Sequence, residues 1–243
     1  MTTHTILGQD IHMPVRIRLA RTFMATYVVP ADAAQRLIDY SKLDILRLPG
    51  DRAVCTLVFV DYLDGDLGPY HEFGVSFMVR HHRAANNAWF GDLRAMLTGG
   101  AGVFIHRLPV DGEFTLAAGR GIWGFPKELA DFTMHRDGGT RRGVLHQDGK
   151  LLVDLEVRPG IALPSRRNTA SSFDAYSHID GVTRSTPWHM EPSGMRARVG
   201  GADLTLGDHA WAAELSSLGL PKRALMTSVV DHLAMTFRDA MPV

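Results

Sequence analysis

Cysteine is nearly missing: Cys55 stands alone in 243 residues. A single thiol closes no internal disulfide, which excludes a disulfide-stapled mini-domain. Net charge is missing too, with 26 Lys and Arg against 26 Asp and Glu. A nucleic-acid binder carries a basic excess or a basic stripe, and neither is present. No run of about 18 apolar residues occurs, so no membrane span is expected. The first ten residues, MTTHTILGQD, lack the positive start and apolar centre of a secretory signal. The expected location is therefore cytoplasmic. Internal repeats and low-complexity segments are absent as well. What remains is 45% hydrophobic and 21% charged, the balance of an ordinary globular chain rather than a disordered one. At roughly 150 residues per domain the length allows one large domain or two small ones. The 24 glycines fall mostly at turns and suggest no linker, so residues 1–243 are read as a single domain.

The apolar runs are short and rich in β-branched and aromatic residues. Arg16–Val29 reads as a strand ending at Pro30, and the Ala-rich Ala31–Tyr40 as a short helix. Ala53–Leu63 and Tyr70–His81 read as strands flanking the turn cluster Asp64-Gly65-Asp66-Leu67-Gly68-Pro69. Asn86–Leu97 reads as a helix or an irregular connection. Val103–Arg107 and Phe114–Ala118 read as strands either side of Asp111-Gly112. Phe132–Arg136, Arg142–Gln147 and Leu151–Arg158 follow, divided by Asp137-Gly138-Gly139 and Asp148-Gly149, which are strong hairpin signals. Pro159 to Pro192 reads as turn-rich. Met195–Val199 and Ala202–Leu206 read as short strands, while Leu225–Phe237 fits a helix or a strand. The pattern predicts a mainly β fold with an antiparallel sheet system, closed or sandwiched, rather than βαβ units.

Three motifs fail on context. Gly119-Arg120-Gly121-Ile122-Trp123-Gly124 matches G-x-G-x-x-G after a predicted strand, but Pro126 stands where the dinucleotide-binding helix must begin. The 12 histidines include His81-His82 and His71-Glu72, yet neighbours in a strand face opposite ways and chelate poorly. No H-x-H or H-E-x-x-H spacing occurs, so no metal and no cofactor is expected. Cys55 lies within an apolar strand and reads as a packed thiol; there is no G-x-S-x-G elbow.

The unusual stretch is Ile122-Trp123-Gly124-Phe125-Pro126-Lys127-Glu128-Leu129-Ala130-Asp131-Phe132. A lysine amine is a nucleophile only when neutral, and apolar surroundings disfavour the ammonium. Trp123 and Phe125 place apolar bulk beside Lys127 in sequence. Spacing alone also fits a surface lysine at a turn.

Gly119-Arg120 followed by Gly124-Phe125-Pro126-Lys127 resembles the signature segment of the acetoacetate decarboxylase family, whose lysine forms a Schiff base with a β-keto acid. Ala20-Arg21, in the first long strand, resembles the family's active-site arginine segment. Tyr70-His71-Glu72-Phe73-Gly74 resembles the segment that carries an active-site glutamate, and Leu220-Pro221 to Ala234 resembles the C-terminal segment. The resemblance implies a cone-like β-barrel with peripheral helices and assembly into homo-oligomers. It implies a Schiff-base lyase acting on a small oxo acid, by decarboxylation or by aldol-dehydration through an enamine. Lys127, Glu72 and Arg21 would be the catalytic residues, Arg21 orienting Glu72 or the substrate carboxylate, with Tyr70, Trp123 and Phe125 lining the pocket.

Three departures stand out. Glu128 occupies the place of a second lysine, Gly121 follows Arg120 where the family has a glutamate, and Leu57 replaces a further acidic residue. A carboxylate facing Lys127 would stabilise its ammonium, which Glu128 avoids only if strand alternation points it to the other face. A non-catalytic small-molecule binding protein on the same barrel is the other reading that the residues allow.

Overall fold

The computed structural model describes residues 2–80, 101–164 and 170–243. The expected connection over Asn86–Leu97, together with His81 and His82, lies outside the described residues. A small hairpin, β1 (Thr3–Ile6) and β2 (Gln9–His12), precedes the long strand β3 (Val15–Pro30). Helix α1 (Ala31–Ile38) leads to β4 (Arg52–Gly65), β5 (Tyr70–Arg80) and β6 (Ala101–Val110). Helix α2 (Glu113–Ala118) precedes β7 (Lys127–Leu129). Then come β8 (Asp131–Asp137), β9 (Thr140–Gln147), β10 (Lys150–Val157), β11 (Ile161–Ala162), β12 (Ser171–Ile179) and β13 (Val182–Val199). The chain ends with β14 (Ala202–Leu206), helix α3 (Ala210–Ser217), β15 (Met226–Phe237) and β16 (Met241–Pro242).

The mainly β class expected from the sequence is the observed one. Strands pair in the order β13-β12-β6-β5-β4-β3-β15, and β15 pairs back to β13, so the sheet closes on itself as a ring. Most pairings are antiparallel, but β6 pairs with β12 and with β7 in parallel. A second sheet, ordered β14-β10-β9-β8, stands apart from the ring. Because side chains alternate across a strand, the long ring strands serve two apolar clusters. One joins Phe23, Tyr27, Leu57, Phe59 and Phe73 of the ring to Leu145, Leu152 and Leu155 of the second sheet. The other gathers Ile17, Tyr62, Tyr70, Ile105, Ala175 and Met235 from strands right round the ring, and so lies inside it. Cys55 belongs to the first cluster and is fully buried, and burial pushes its thiol up to about 12.

Two sequence expectations are corrected. Phe114–Ala118 belongs to α2, not to a strand. A short apolar run does not distinguish the two by periodicity, and Gly112 opens a helical turn by accepting from Leu116 N–H and Thr115 Oγ1. The Pro159–Pro192 region is not mainly turns. It holds β12 and most of β13, a hairpin turned by Asp180-Gly181, both at positive φ. Leu225–Phe237 resolves as a strand, and Met195–Val199 as the end of β13.

Candidate active site

Lys127 opens β7, whose parallel pairing sets it opposite Leu108 of β6. The path to it is unusual. After α2 the backbone widens into a π-helical turn over Gly119–Trp123, stopped by Gly124 in the left-handed region at φ +64°. Such widened turns recur at functional sites. The glycines therefore end a helix rather than begin one, in keeping with the rejection of the dinucleotide motif. Gly119 also has a steric duty. A Cβ there would lie 2.5 Å from Cε of Lys127 and closer still to Cδ. The lysine stem passes directly over the bare glycine backbone. Gly119→Ala is expected to displace the stem and slow covalent trapping of a carbonyl compound at Lys127 about tenfold, since small misplacements of reacting groups are costly. Hydride-trapping kinetics followed by mass spectrometry measure this.

The Lys127 side chain is 3% exposed and that of Glu72 is 9% exposed, with Nζ 2.9 Å from Glu72 Oε2. Tyr62 Oη donates to the other carboxylate oxygen, Oε1, at 2.9 Å. Both oxygens of a buried carboxylate thus have partners, as burial demands. The rings of Tyr62 and Tyr70 stack at 4.1 Å, and Nζ lies 4.9 Å from the centre of the Tyr70 ring. Burial, and then the neighbouring Glu72 carboxylate, holds both phenols well above their ordinary range. Tyr62 is therefore a lasting proton donor to Glu72.

A cavity of about 30 Å³ adjoins these groups, lined also by Leu67, Trp123, Phe125, Trp188 and Phe237. Trp123 is anchored at both ends: its indole N–H donates to Arg238 O at 2.8 Å, and its own carbonyl accepts from Ser177 Oγ at 2.7 Å. Trp123 stacks on Phe125 at 5.9 Å. Lys127, Glu72, Tyr70, Trp123 and Phe125, all singled out from the sequence, line one cavity. Tyr62 was missed.

Arg21 is not brought to this site. It faces Asp61 of β4, while its neighbour Ala20 pairs with Tyr62. Alternation consequently sends Arg21 to the opposite face of the sheet, where it lines a different cavity. Its expected part in orienting Glu72 is taken by Tyr62. Leu57 is likewise remote, fully buried in the cluster that faces the second sheet. An acid at that position would not face Lys127.

Glu128 follows Lys127 in β7, and alternation turns it to the other face. Its Oε1 lies 3.5 Å from Nη1 of Arg107. Arg107 holds Glu214 of α3 at 2.5 and 3.2 Å, and packs its guanidinium 5.0 Å from the centre of the Trp211 ring. His106 Nε2 adds a 3.0 Å bond to the same carboxylate. Burial would raise the Glu214 carboxyl, but the hydrogen bonds with His106 and Arg107 outweigh it and bring it down to about 2. A depressed carboxyl stabilises the fold above its ordinary pKa of 4.5 and loses that contribution as pH falls through about 2. Glu214→Gln is therefore expected to cost about 1–3 kcal/mol at pH 7, the scale of a lost charged hydrogen bond. The gap to wild type should close in acid. Urea unfolding of both proteins at neutral and at acid pH measures it.

The chain matches the family described as acetoacetate decarboxylase (ADC) over residues 7–241. No curated protein matches it. Among solved structures it is similar to an acetoacetate decarboxylase from Legionella pneumophila, with a TM-score of 0.65 at 21% identity over 95% of this chain and 87% of that one. The enduracididine biosynthesis enzyme MppR complexed with pyruvate gives a TM-score of 0.65 at 16% identity, over 96% and 91% of the two chains. An acetoacetate decarboxylase-like enzyme from Sphingomonas wittichii RW1 gives 0.61 at 15% identity, over 97% and 96%. At such identities the structures share a fold, while the family match spans nearly the whole chain, and the protein belongs to the acetoacetate decarboxylase family.

Proposed function

We propose that this protein is a lysine Schiff-base lyase acting on a small oxo acid, with Lys127 as the nucleophile and Glu72 as the proton carrier. The observation that carries the reading is a buried primary amine 2.9 Å from a carboxylate, in an aromatic pocket. The Lys127 ammonium first passes a proton to Glu72. The neutral Nζ then adds to the keto carbon, and one of its two remaining protons moves to the keto oxygen to give the carbinolamine. Protonated Glu72 then gives its proton to the carbinolamine hydroxyl. Water leaves and an iminium remains. With a β-keto acid, the bond to the carboxylate breaks, its electrons flow to the iminium nitrogen, and carbon dioxide leaves an enamine. With an α-keto acid, Glu72 removes a proton from the adjacent carbon, and the resulting enamine adds to an aldehyde and then loses water. Protonation at carbon, where needed, and hydrolysis of the imine by water restore the amine.

The site favours small substrates. About 30 Å³ beside Nζ holds roughly one or two water-sized groups. Tyr62 supports the assignment of Glu72, since a carboxylate fixed by a phenol on one oxygen keeps the other aimed at the amine. The protein is expected to act as a homo-oligomer.

The test is borohydride reduction in the presence of acetoacetate or pyruvate, with peptide mapping. A mass gain confined to the peptide bearing Lys127 supports the reading. No adduct with any oxo acid favours a non-catalytic binding protein on the same fold.

A further inference from the structure

The cavity that receives Arg21 lies behind the active site, on the opposite face of β3, β4 and β5. Its volume is about 120 Å³, and three guanidiniums line it: Arg21, Arg136 and Arg141. Arg136 of β8 and Arg141 of β9 stand directly opposite each other in their hairpin. Like charges at such a cross-strand pair are destabilising unless something offsets them. Here both guanidiniums reach the same atom, Asp231 Oδ1, each at 3.3 Å. One carboxylate oxygen serves two arginines. Asp231 itself projects from an irregularity in the pairing of β15 with β3, between Val230 and Leu233.

The second carboxylate lining the cavity, Asp61, is drawn toward His71, whose Nε2 is 3.6 Å from Asp61 Oδ1. His71 is in turn fixed by Asp111, through Nδ1 at 2.6 Å and its backbone N–H at 2.8 Å. The Arg21 side chain makes no hydrogen bond or ion pair among the described residues. Three guanidiniums thus face two carboxylates, and one carboxylate is shared while the other leans toward an imidazole. Burial, followed by the charges of Arg141 and Arg21, lowers the Arg136 pKa, in keeping with surplus positive charge in the cavity.

We propose that this cavity is an anion-binding site, which takes the carboxylate or phosphoryl group of a small ligand between Arg21, Arg136 and Arg141. The planar guanidinium fork matches either oxyanion with paired hydrogen bonds, which a lysine does not. The volume admits the anionic group, and the remainder of a larger ligand would stay outside. The proposal is independent of the imine chemistry, because Lys127 and Glu72 lie on the other face of the sheet.

Calorimetric titration of the protein tests it, with sodium phosphate, sodium succinate and sodium chloride compared at equal ionic strength. Phosphate or succinate should bind one site per chain, and chloride should not. A preference for phosphate identifies a phosphoryl ligand, and a preference for succinate identifies a carboxylate. Arg21→Gln and Arg136→Gln should each weaken binding about tenfold, the usual scale for one charged hydrogen bond. Arg21→Gln is the cleaner variant, because that side chain holds nothing else in place. Lys127→Ala should leave the titration unchanged, which separates this site from the active-site pocket. Absence of binding by both oxyanions overturns the proposal. So does binding that survives both arginine substitutions, or that vanishes in Lys127→Ala.

Discussion

Lys127→Ala is expected to give no turnover above background and no borohydride adduct with any oxo acid. Imine formation requires a primary amine, and Lys127 is the only lysine or arginine lining the aromatic pocket among the described residues. Lys127→Arg should be equally inactive, because a guanidinium stays protonated and forms no imine. Lys127→Ala also strands Glu72, leaving a buried carboxylate with Tyr62 as its only hydrogen-bonding partner among the described residues. Breaking a buried ion pair by removing one partner costs about 3–5 kcal/mol, against a total of about 5–15 kcal/mol for a typical domain. The variant should therefore fold but melt earlier. Adding Glu72→Gln to Lys127→Ala should recover part of the melting temperature and none of the activity. Circular dichroism melts alongside the assay separate these effects. Wild-type turnover in a folded Lys127→Ala protein would rule out the mechanism.

Glu72→Gln alone is expected to slow turnover about a hundredfold, the usual scale for losing a positioned proton carrier. The amide fills the same space and can still accept from Tyr62, so packing changes little. It carries no proton between Nζ and the carbinolamine oxygen. Adduct formation at Lys127 should survive at a reduced rate, because the amine remains. Tyr62→Phe should fall between wild type and Glu72→Gln, at about tenfold. It removes the hydrogen bond that orients the carboxylate but leaves the carboxylate in place. A Glu72→Gln rate within threefold of wild type would show that the proton travels by another group.

The lysine was legible because its flanking residues are themselves constrained. Gly124 takes a left-handed conformation, and Pro126 blocks helix continuation just before β7. Those needs leave a readable Gly-Phe-Pro-Lys string. Tyr62 left a weaker signal. Tyr62 and Tyr70 are equidistant from Asp66, so the turn over residues 64–69 places them opposite each other, and with them Val60 opposite Glu72. The placement of Arg21 was beyond sequence reasoning, because its face depends on the register of β3 against β4, shifted by irregularities at Ile17, Leu19 and Ala20. Gly119 was legible as part of the signature segment, but its clearance for the Lys127 stem was not, since that concerns a side chain eight residues away across a turn. The β12–β13 hairpin was masked by Pro187 and Pro192, which weigh against a strand. The Asp180-Gly181 pair was the better guide.

The alternation in β4 and β5 has a consequence for how this protein can change. Asp61 and His71 serve the arginine-lined cavity, while Tyr62 and Glu72 serve the lysine. Loss or gain of one residue within either strand would turn its side chains inside out, exchanging a charged group for an aromatic or a proton carrier. Point substitutions can alter one cavity and spare the other. Length changes in these strands cannot, so variation in chain length should be tolerated at the turn over residues 64–69 and excluded from the strands on either side.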